Sequence, residues 1–322
     1  MAPRDGVDPG APVTWEPEAN LSGANLNGPS LARVNDHALG GKNNYQVDRD
    51  LHAQILAINP DFDAFVQAGR RFLVQTLERM ADVGIDQFVA LGTGLPTSPN
   101  VHEIVRRVRP DAKVVYVEAE PVAAVHARAL LAREQGVVAV RYRIDDSAAI
   151  AADPAVAATL DLTRPLGVFF GVMQVIPQAS ALSVMAFHRD KLVPGSMIAL
   201  HALLADAAGA PGGRGQGGPP GRPPVLRGPP PPGFPGPPGP GHGPPSGPPG
   251  DEVPLVVQAA SQVVFRSREE ATALFDGLDV LDPGLVDLAD WARLPLPVGL
   301  AGPEVPDLPP ILNCLAGLAR VS

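Results

Sequence analysis

The residues best suited to hold a ligand are two glycines and a carboxylate that follow neighbouring apolar runs. Phe88–Leu91 leads into Gly92-Thr93-Gly94, and Glu118, which ends the run Lys113–Val117, lies 26 residues after Gly92. Glycines at such a turn let a ligand approach the backbone, and a carboxylate can accept two hydrogen bonds from a ribose diol. The pattern predicts a nucleotide-like cofactor. A plain strand-ending turn and a carboxylate that caps the next helix fit the same residues.

A second polar cluster surrounds the double glycine Gly40-Gly41, which ends a predicted helix that begins at Pro29-Ser30. Its candidate ligand contacts are Arg33, Asp36, Lys42 and Asn44. A capped turn would explain one glycine and one asparagine but not the whole cluster. We therefore favour a ligand contact over a purely structural turn.

The remaining sequence argues against several other chemistries. It contains no Gly-x-Ser-x-Gly elbow and no Walker loop. The histidines lack ligand spacing, so His102, His126 and His201 are interpreted as surface or strand-edge residues rather than metal ligands. A nicotinamide-dependent oxidoreductase is disfavoured because Thr97 stands where the dinucleotide fingerprint needs a third glycine. The formal charge of −9 argues against nucleic acid as a partner.

The elements that must position these residues alternate between strands and helices. Apolar runs at 88–91, 113–117, 137–144, 167–172 and 197–203 predict strands, and stretches with helical spacing lie between them. Such alternation is typical of an α/β fold with a mostly parallel sheet covered by helices on both faces. The exit of the fourth strand, near Gly171, would face the same edge as the glycine turn.

Composition predicts the domain organisation. Much of the excess of proline and glycine, 39 and 34 residues, falls in 209–250, which we expect to be a disordered insertion. Residues 1–28 are expected to form a flexible arm, and 29–208 with 251–322 a single domain. The Pro-rich segment could dock on a partner's aromatic groove, but a tolerated insertion is the preferred interpretation.

The chain shows no sign of export or membrane insertion. The N-terminus lacks a secretory pattern, and the longest apolar run, 166–176, is about half of a membrane span. The single cysteine, Cys314, lies in an apolar run where a buried thiol is expected. These features predict a soluble cytoplasmic protein.

Several motifs in order resemble one family. The runs ARVNDHALGGKNNYQVDRD, FVALGTGLPT, VVYVEAEPV and FRSREEATALFDGLDVLDPG are similar to those of an S-adenosylmethionine-dependent methyltransferase family common in actinobacteria, long catalogued as a domain of unknown function. The likeness covers roughly residues 29–205 and 253–321. It implies a class I methyltransferase (Rossmann-like) fold with seven strands and a reversed hairpin at the C-terminal edge.

The resemblance also implies where the cofactor S-adenosylmethionine would lie. It would cross Gly92, Thr93 and Gly94, with its ribose near Glu118 and its adenine beside Ala119 or Glu120 and the residues after the third strand. The Asp36–Asn44 turn would fold over its methionine end.

The chain departs from the family pattern at three positions. Ala90 replaces an acidic residue before the glycine turn, Arg143 falls where an aspartate is usual, and Gln174 replaces a histidine that often follows the fourth strand. Asp145, two residues beyond Arg143, is the candidate substitute. Two hypotheses follow: a methyltransferase acting on a small molecule, or an inactive descendant of the fold that serves as a binding or scaffold protein.

Overall fold

The computed structural model describes residues 28–97, 99–131, 134–205, 263–295, 308–309 and 312–322. The predicted arm before residue 28, the Pro/Gly-rich insertion and its partner surface lie outside the described residues. The proposed single domain, 29–208 with 251–322, is described only in part. No helix among the described residues is long and apolar enough to cross a membrane.

The described chain alternates helices and strands, as the sequence predicts. The helices are α1 Leu31–Ala38, α2 Gln46–Ile58, α3 Phe62–Asp82, α4 Val101–Arg106, α5 Pro121–Leu131, α6 Ser147–Ala152, α7 Pro154–Thr159, α8 Gln178–Lys191, α9 Arg268–Thr272 and α10 Leu288–Arg293. Short 3₁₀ turns span Met173–Val175 and Ala273–Phe275. The strands are β1 Gln87–Leu91, β2 Lys113–Val117, β3 Val137–Val140, β4 Gly167–Phe170, β5 Met197–Leu203, β6 Asp279–Val280, β7 Val286–Asp287 and β8 Cys314–Arg320.

The strands form one sheet in the order β3-β2-β1-β4-β5-β8-β6, with β7 also paired to β8. Strands β1 to β5 are parallel, whereas β8 runs antiparallel to β5, β6 and β7. This arrangement confirms the predicted class I fold and the reversed C-terminal edge. The described residues form eight strands, close to the predicted seven, because two short strands, β6 and β7, pair in succession with the same side of β8.

Apolar side chains from alternate strand positions fill two core layers on opposite faces of the sheet. Phe88 and Ala90 face one layer, with Phe72 and Trp291, and Leu91 faces the other. Burial on both faces is what near-continuous apolar strands predict. The rigid sheet fixes the carboxyl ends of β1, β2 and β4 at one edge, where the candidate ligand-binding residues lie.

Candidate active site

The turn after β1 favours glycine at two positions, Gly92 and Gly94. Gly92 and Gly94 have φ angles of +66° and +79°, which side-chain-bearing residues rarely adopt. A Cβ at Gly92 would lie 2.0 Å from Cγ2 of Val172, and one at Gly171 would lie 2.5 Å from the carbonyl oxygen of Gly92. The exits of β1 and β4 are therefore in direct backbone contact, and this contact forms the floor of the site.

Glu118, at the end of β2, folds its carboxylate onto that turn. Its Oε1 accepts hydrogen bonds from the backbone N–H of Thr93 at 2.8 Å, the hydroxyl of Thr93 at 3.0 Å and the backbone N–H of Gly94 at 3.0 Å. Burial raises the pKa of Glu118 to about 8, even though these three hydrogen bonds favour the ionised form. The carboxyl group is thus poised to change its charge near neutral pH.

A cavity of about 640 Å³ opens above the turn. This volume falls within the range of small-molecule pockets, roughly 300–1,000 Å³. It is lined by Gly28, Pro29, Ser30, Leu31, Ala32, Asn35, Leu39, Leu51, Phe65, Val66, Gly69, Arg70, Leu73, Gly92, Thr93, Gly94, Thr97, Glu118, Ala119, Glu120, Pro121, Val122, Ile144, Phe169, Gly171, Val172, Gln174, Val175 and His201. Six predicted site residues are among them: Gly92, Thr93, Gly94, Glu118, Ala119 and Gly171.

Helix α1 covers the glycine turn and is held there by polar contacts. Ser30 caps the helix by accepting a hydrogen bond from the N–H of Arg33 at 3.2 Å. The carboxylate of Glu120 accepts one from the N–H of Ala32 at 3.3 Å. A Cβ at Gly94 would lie 3.8 Å from Cβ of Ala32, so the helix passes within van der Waals distance of the turn.

The four predicted contacts from the double-glycine turn do not line the cavity. Arg33 forms a fully buried ion pair with Asp48 at 2.7 Å. Asp36 accepts hydrogen bonds from the N–H of Asn43 at 2.8 Å and from Nδ2 of Asn44 at 2.9 Å.

A Cβ at Gly41 would lie 2.2 Å from Oδ1 of Asp36, so the aspartate packs directly against the turn. Lys42 is exposed. In this structure Arg33, Asp36 and Asn44 build the turn and its junction with α2, and the structural interpretation describes their contacts better than the ligand-contact interpretation.

Asp145 also lies outside the cavity lining. Its carboxylate pairs with Arg143 at 2.8 and 3.0 Å. This pairing lowers the pKa of Asp145. The Arg143 side chain is 76% exposed, and Ile144, the residue between Arg143 and Asp145, lines the cavity instead.

Ala90 is an ordinary core residue in this structure. It is fully buried, pairs in register with Tyr116 and Phe169, and belongs to the apolar layer that contains Phe72. The cavity lining does not include it. No carboxylate therefore stands on β1 next to the glycine turn.

Two histidines are buried, which contradicts their interpretation as surface or edge residues. His102 is 5% exposed, and its Nδ1 lies 3.0 Å from the hydroxyl of Tyr116. His201 is 4% exposed because β5 is an interior strand between β4 and β8. Its imidazole lines the cavity, and burial lowers its pKa to about 4. No group of His, Cys, Asp or Glu that could hold a metal ion occurs among the described residues.

Arg70 is a cavity residue that the sequence did not reveal. It lies on α3, and its Nη2 donates hydrogen bonds to the carbonyl oxygens of Thr97, at 2.8 Å, and Pro99. Burial lowers the pKa of Arg70 to about 10, so it stays positively charged at neutral pH. Arg70 lies within a helix 22 residues before the glycine turn, and no local sequence pattern marks it as a site residue. Only the packing of α3 brings its side chain to the cavity.

Comparison with known proteins identifies the family. A model of the S-adenosyl methyltransferase family matches residues 18–214, more than half of the chain. The crystal structure of a methyltransferase candidate from Thermobifida fusca is similar, with 26% identity, coverage of 96% of this chain and 99% of that chain, and a TM-score of 0.69.

A protein of the DUF574 family from Streptomyces avermitilis has the same fold, with 24% identity, coverage of 92% and 98%, and a TM-score of 0.66. No curated protein sequence matches the chain. The family match and the confirmed fold agree with the ordered motifs. The chain belongs to the S-adenosyl methyltransferase family.

Proposed function

We propose that the protein is an S-adenosylmethionine-dependent methyltransferase that acts on a small molecule. The observation that supports this most strongly is the continuity of one cavity from the Gly92–Gly94 turn and Glu118 to an apolar region between α3 and β5. A nucleoside cofactor and a small acceptor could then lie side by side in one cavity, as methyl transfer requires.

The residues along the turn suit the cofactor. The Gly92 and Gly171 positions leave the backbone open to close approach, and the Glu118 carboxylate can accept hydrogen bonds from both ribose hydroxyls. Ala119 offers a small apolar surface for adenine. The guanidinium of Arg70 supplies a positive charge for the methionine carboxylate, a role not expected from the sequence.

The chain's contribution to the reaction would be mainly positioning. When bound, the cofactor would supply an electrophilic methyl group on its sulfonium. After transfer of the methyl group to the acceptor, the sulfur would be left as a neutral thioether. Helix α1 and the apolar lining would exclude water, and the rigid edge of the sheet would fix the two reactants relative to one another. No protein nucleophile is required.

The alternative is a protein that keeps the fold and its cavity but not the transfer activity. Ala90 favours it, because the fully buried methyl group leaves β1 without a carboxylate for the methionine ammonium group. So does Asp145, whose carboxylate is engaged by Arg143.

A calorimetric titration with S-adenosylmethionine and its demethylated product tests the proposal. We expect both ligands to bind with micromolar dissociation constants, and Thr97→Ala to serve as a matched control whose affinity stays within about threefold. The absence of heat with both ligands would overturn the proposed function. Binding without transfer to any member of a broad acceptor panel would favour the inactive alternative.

A further inference from the structure

We propose that the part of the cavity between α3 and β5 binds the methyl acceptor, and that this acceptor is an uncharged, largely apolar molecule with one hydroxyl group. This inference rests on the proposed function and adds the substrate class. We name this region the acceptor chamber. It is formed by Phe65, Val66, Gly69, Leu73, Phe169, Gln174, Val175 and His201.

The walls of the acceptor chamber are apolar. Two aromatic rings, Phe65 and Phe169, and the aliphatic side chains of Val66 and Leu73 are among its lining residues. Phe65 also packs edge-to-face on the imidazole of His201, with ring centroids 5.8 Å apart. Such a surface favours a ligand that gains free energy from burying carbon, and ring systems pack well against aromatic walls.

Each charged side chain that lines the cavity among the described residues is held by other groups of the protein. Glu118 is bound to the glycine turn, Glu120 to the N-terminus of α1, and Arg70 to the carbonyl oxygens of Thr97 and Pro99. Among the described residues, no carboxylate forms the chamber, and the one cation on the cavity lining, Arg70, is held by two carbonyl oxygens. Burial of an unpaired charge is costly, so the chamber selects a neutral molecule.

Two uncharged polar residues, Gln174 and His201, line the chamber. Oε1 of Gln174 is buried and has no hydrogen-bond partner among the described residues. A buried acceptor without a partner is unfavourable, and a ligand O–H would satisfy it. The imidazole of His201 is held at Nδ1 by Sγ of Cys314, 3.7 Å away, and is neutral because burial lowers its pKa.

Nε2 of His201 faces Gly69 on α3, a residue without a side chain. A Cβ built on Gly69 would be 3.8 Å from this nitrogen, which is an ordinary van der Waals contact. Glycine inside a helix is less favourable than alanine. The glycine thus keeps open the space in front of the imidazole, and a longer side chain there would occupy the chamber.

Probes with one ring system and different charges test the assignment. The wild-type protein, saturated with S-adenosylhomocysteine, would be titrated by calorimetry with 2-naphthol, 1-naphthylmethylamine and 2-naphthoate at pH 7. We expect 2-naphthol to bind at least tenfold more tightly than the cationic amine and the carboxylate. Equal or tighter binding of either charged probe, or no binding of 2-naphthol at 1 mM, would overturn the assignment.

Substitutions in the chamber locate the binding. Gly69→Leu should abolish 2-naphthol binding, whereas Ala53→Leu, the same enlargement at an exposed helical position outside the cavity lining, should change it less than threefold. Gln174→Leu should weaken it about three- to tenfold, the value of one hydrogen bond. Unaltered 2-naphthol affinity in Gly69→Leu would overturn the assignment, and retained binding of S-adenosylhomocysteine would show that the variant is folded.

The same titrations separate the two proposals. Failure of the wild type to bind S-adenosylhomocysteine would overturn the proposed function together with this inference. Cofactor binding combined with a preference for a charged probe would overturn only the inference.

Discussion

Replacement of Glu118 by glutamine should stabilise the ligand-free protein at alkaline pH and weaken cofactor binding. The buried carboxyl group has a pKa of about 8, against an ordinary value of 4.5. Between these values the folded state retains a proton that the unfolded state has released, so this group makes stability fall as pH rises from 4.5 to 8. The pKa difference corresponds to a free energy on the order of 4 to 5 kcal/mol.

Glutamine keeps the geometry but removes the charge. Its side-chain oxygen can still accept the hydrogen bonds from Thr93 and Gly94 that Oε1 of Glu118 accepts at 2.8 to 3.0 Å. Glu118→Gln should therefore exceed the wild type in free energy of unfolding by about 4 kcal/mol more at pH 8.5 than at pH 5. Urea denaturation at both pH values measures this difference, in which the other titrating groups cancel.

The affinity for the cofactor should rise with pH, whereas the contribution of Glu118 to stability falls. Ribose hydroxyls donate to the ionised carboxylate, so wild-type binding should release a proton below pH 8 and tighten as pH rises towards 8. In Glu118→Gln, affinity for S-adenosylhomocysteine should fall at least tenfold and lose this pH dependence, because charge-assisted hydrogen bonds contribute about 1.5–3 kcal/mol each. Calorimetry in two buffers of different ionisation enthalpy counts the released protons.

An exposed carboxylate provides the control. Glu134 is 46% exposed and pairs with Arg106 at 3.1 Å. Glu134→Gln should change the free energy of unfolding by less than about 1 kcal/mol at either pH, as is usual for surface ion pairs. A stability difference between Glu118→Gln and the wild type that is the same at both pH values would refute the reasoning about Glu118.

Three further predictions concern the fold around the site. Gly92→Ala should destabilise the protein by more than about 2 kcal/mol and prevent cofactor binding, because its Cβ would lie 2.0 Å from Val172 Cγ2; wild-type stability in urea would contradict this. Asp48→Asn should cost about 3–5 kcal/mol, because it leaves the guanidinium of Arg33 buried without its 2.7 Å partner, and an unchanged denaturation midpoint would argue against it. His201 has a folded pKa of about 4, below its ordinary value of 6.5, so its contribution to stability is lost as pH falls from 6.5 to 4; His201→Gln should be less sensitive to acid over this window, and equal acid sensitivity would count against the account.

The sequence predicted the parts of the fold that depend on local pattern. The β-branched run Lys113–Val117 became β2 with the predicted bounds, and Met197–Leu203 became β5. The predicted third strand ended four residues early, at Val140, where the chain leaves the sheet before Tyr142 and Ile144. Strand β7, Val286–Asp287, was missed because two residues offer no alternation to detect. Helix α10, which follows it directly, was missed as well.

The residues of the candidate site also divide into those that a sequence pattern reveals and those that depend on tertiary packing. Gly92 and Glu118 could be found because strand order brings successive strand exits to one edge. Arg33 and Asp36 are predicted ligand contacts whose side chains contact the turn and α2 in this structure, because polar residues around glycines look alike in a binding loop and in a structural turn. Arg70 and His201 were not predicted as cavity residues because only tertiary packing of α3 and β5 turns them into the cavity.

The most direct test of the central claim is a crystal structure of the protein with bound S-adenosylhomocysteine. The account predicts both ribose hydroxyls within hydrogen-bond distance of the Glu118 carboxylate, the adenine beside Ala119 and the methionine carboxylate at the guanidinium of Arg70. A nucleoside bound elsewhere, or bound at this edge with its ribose away from Glu118, would contradict it.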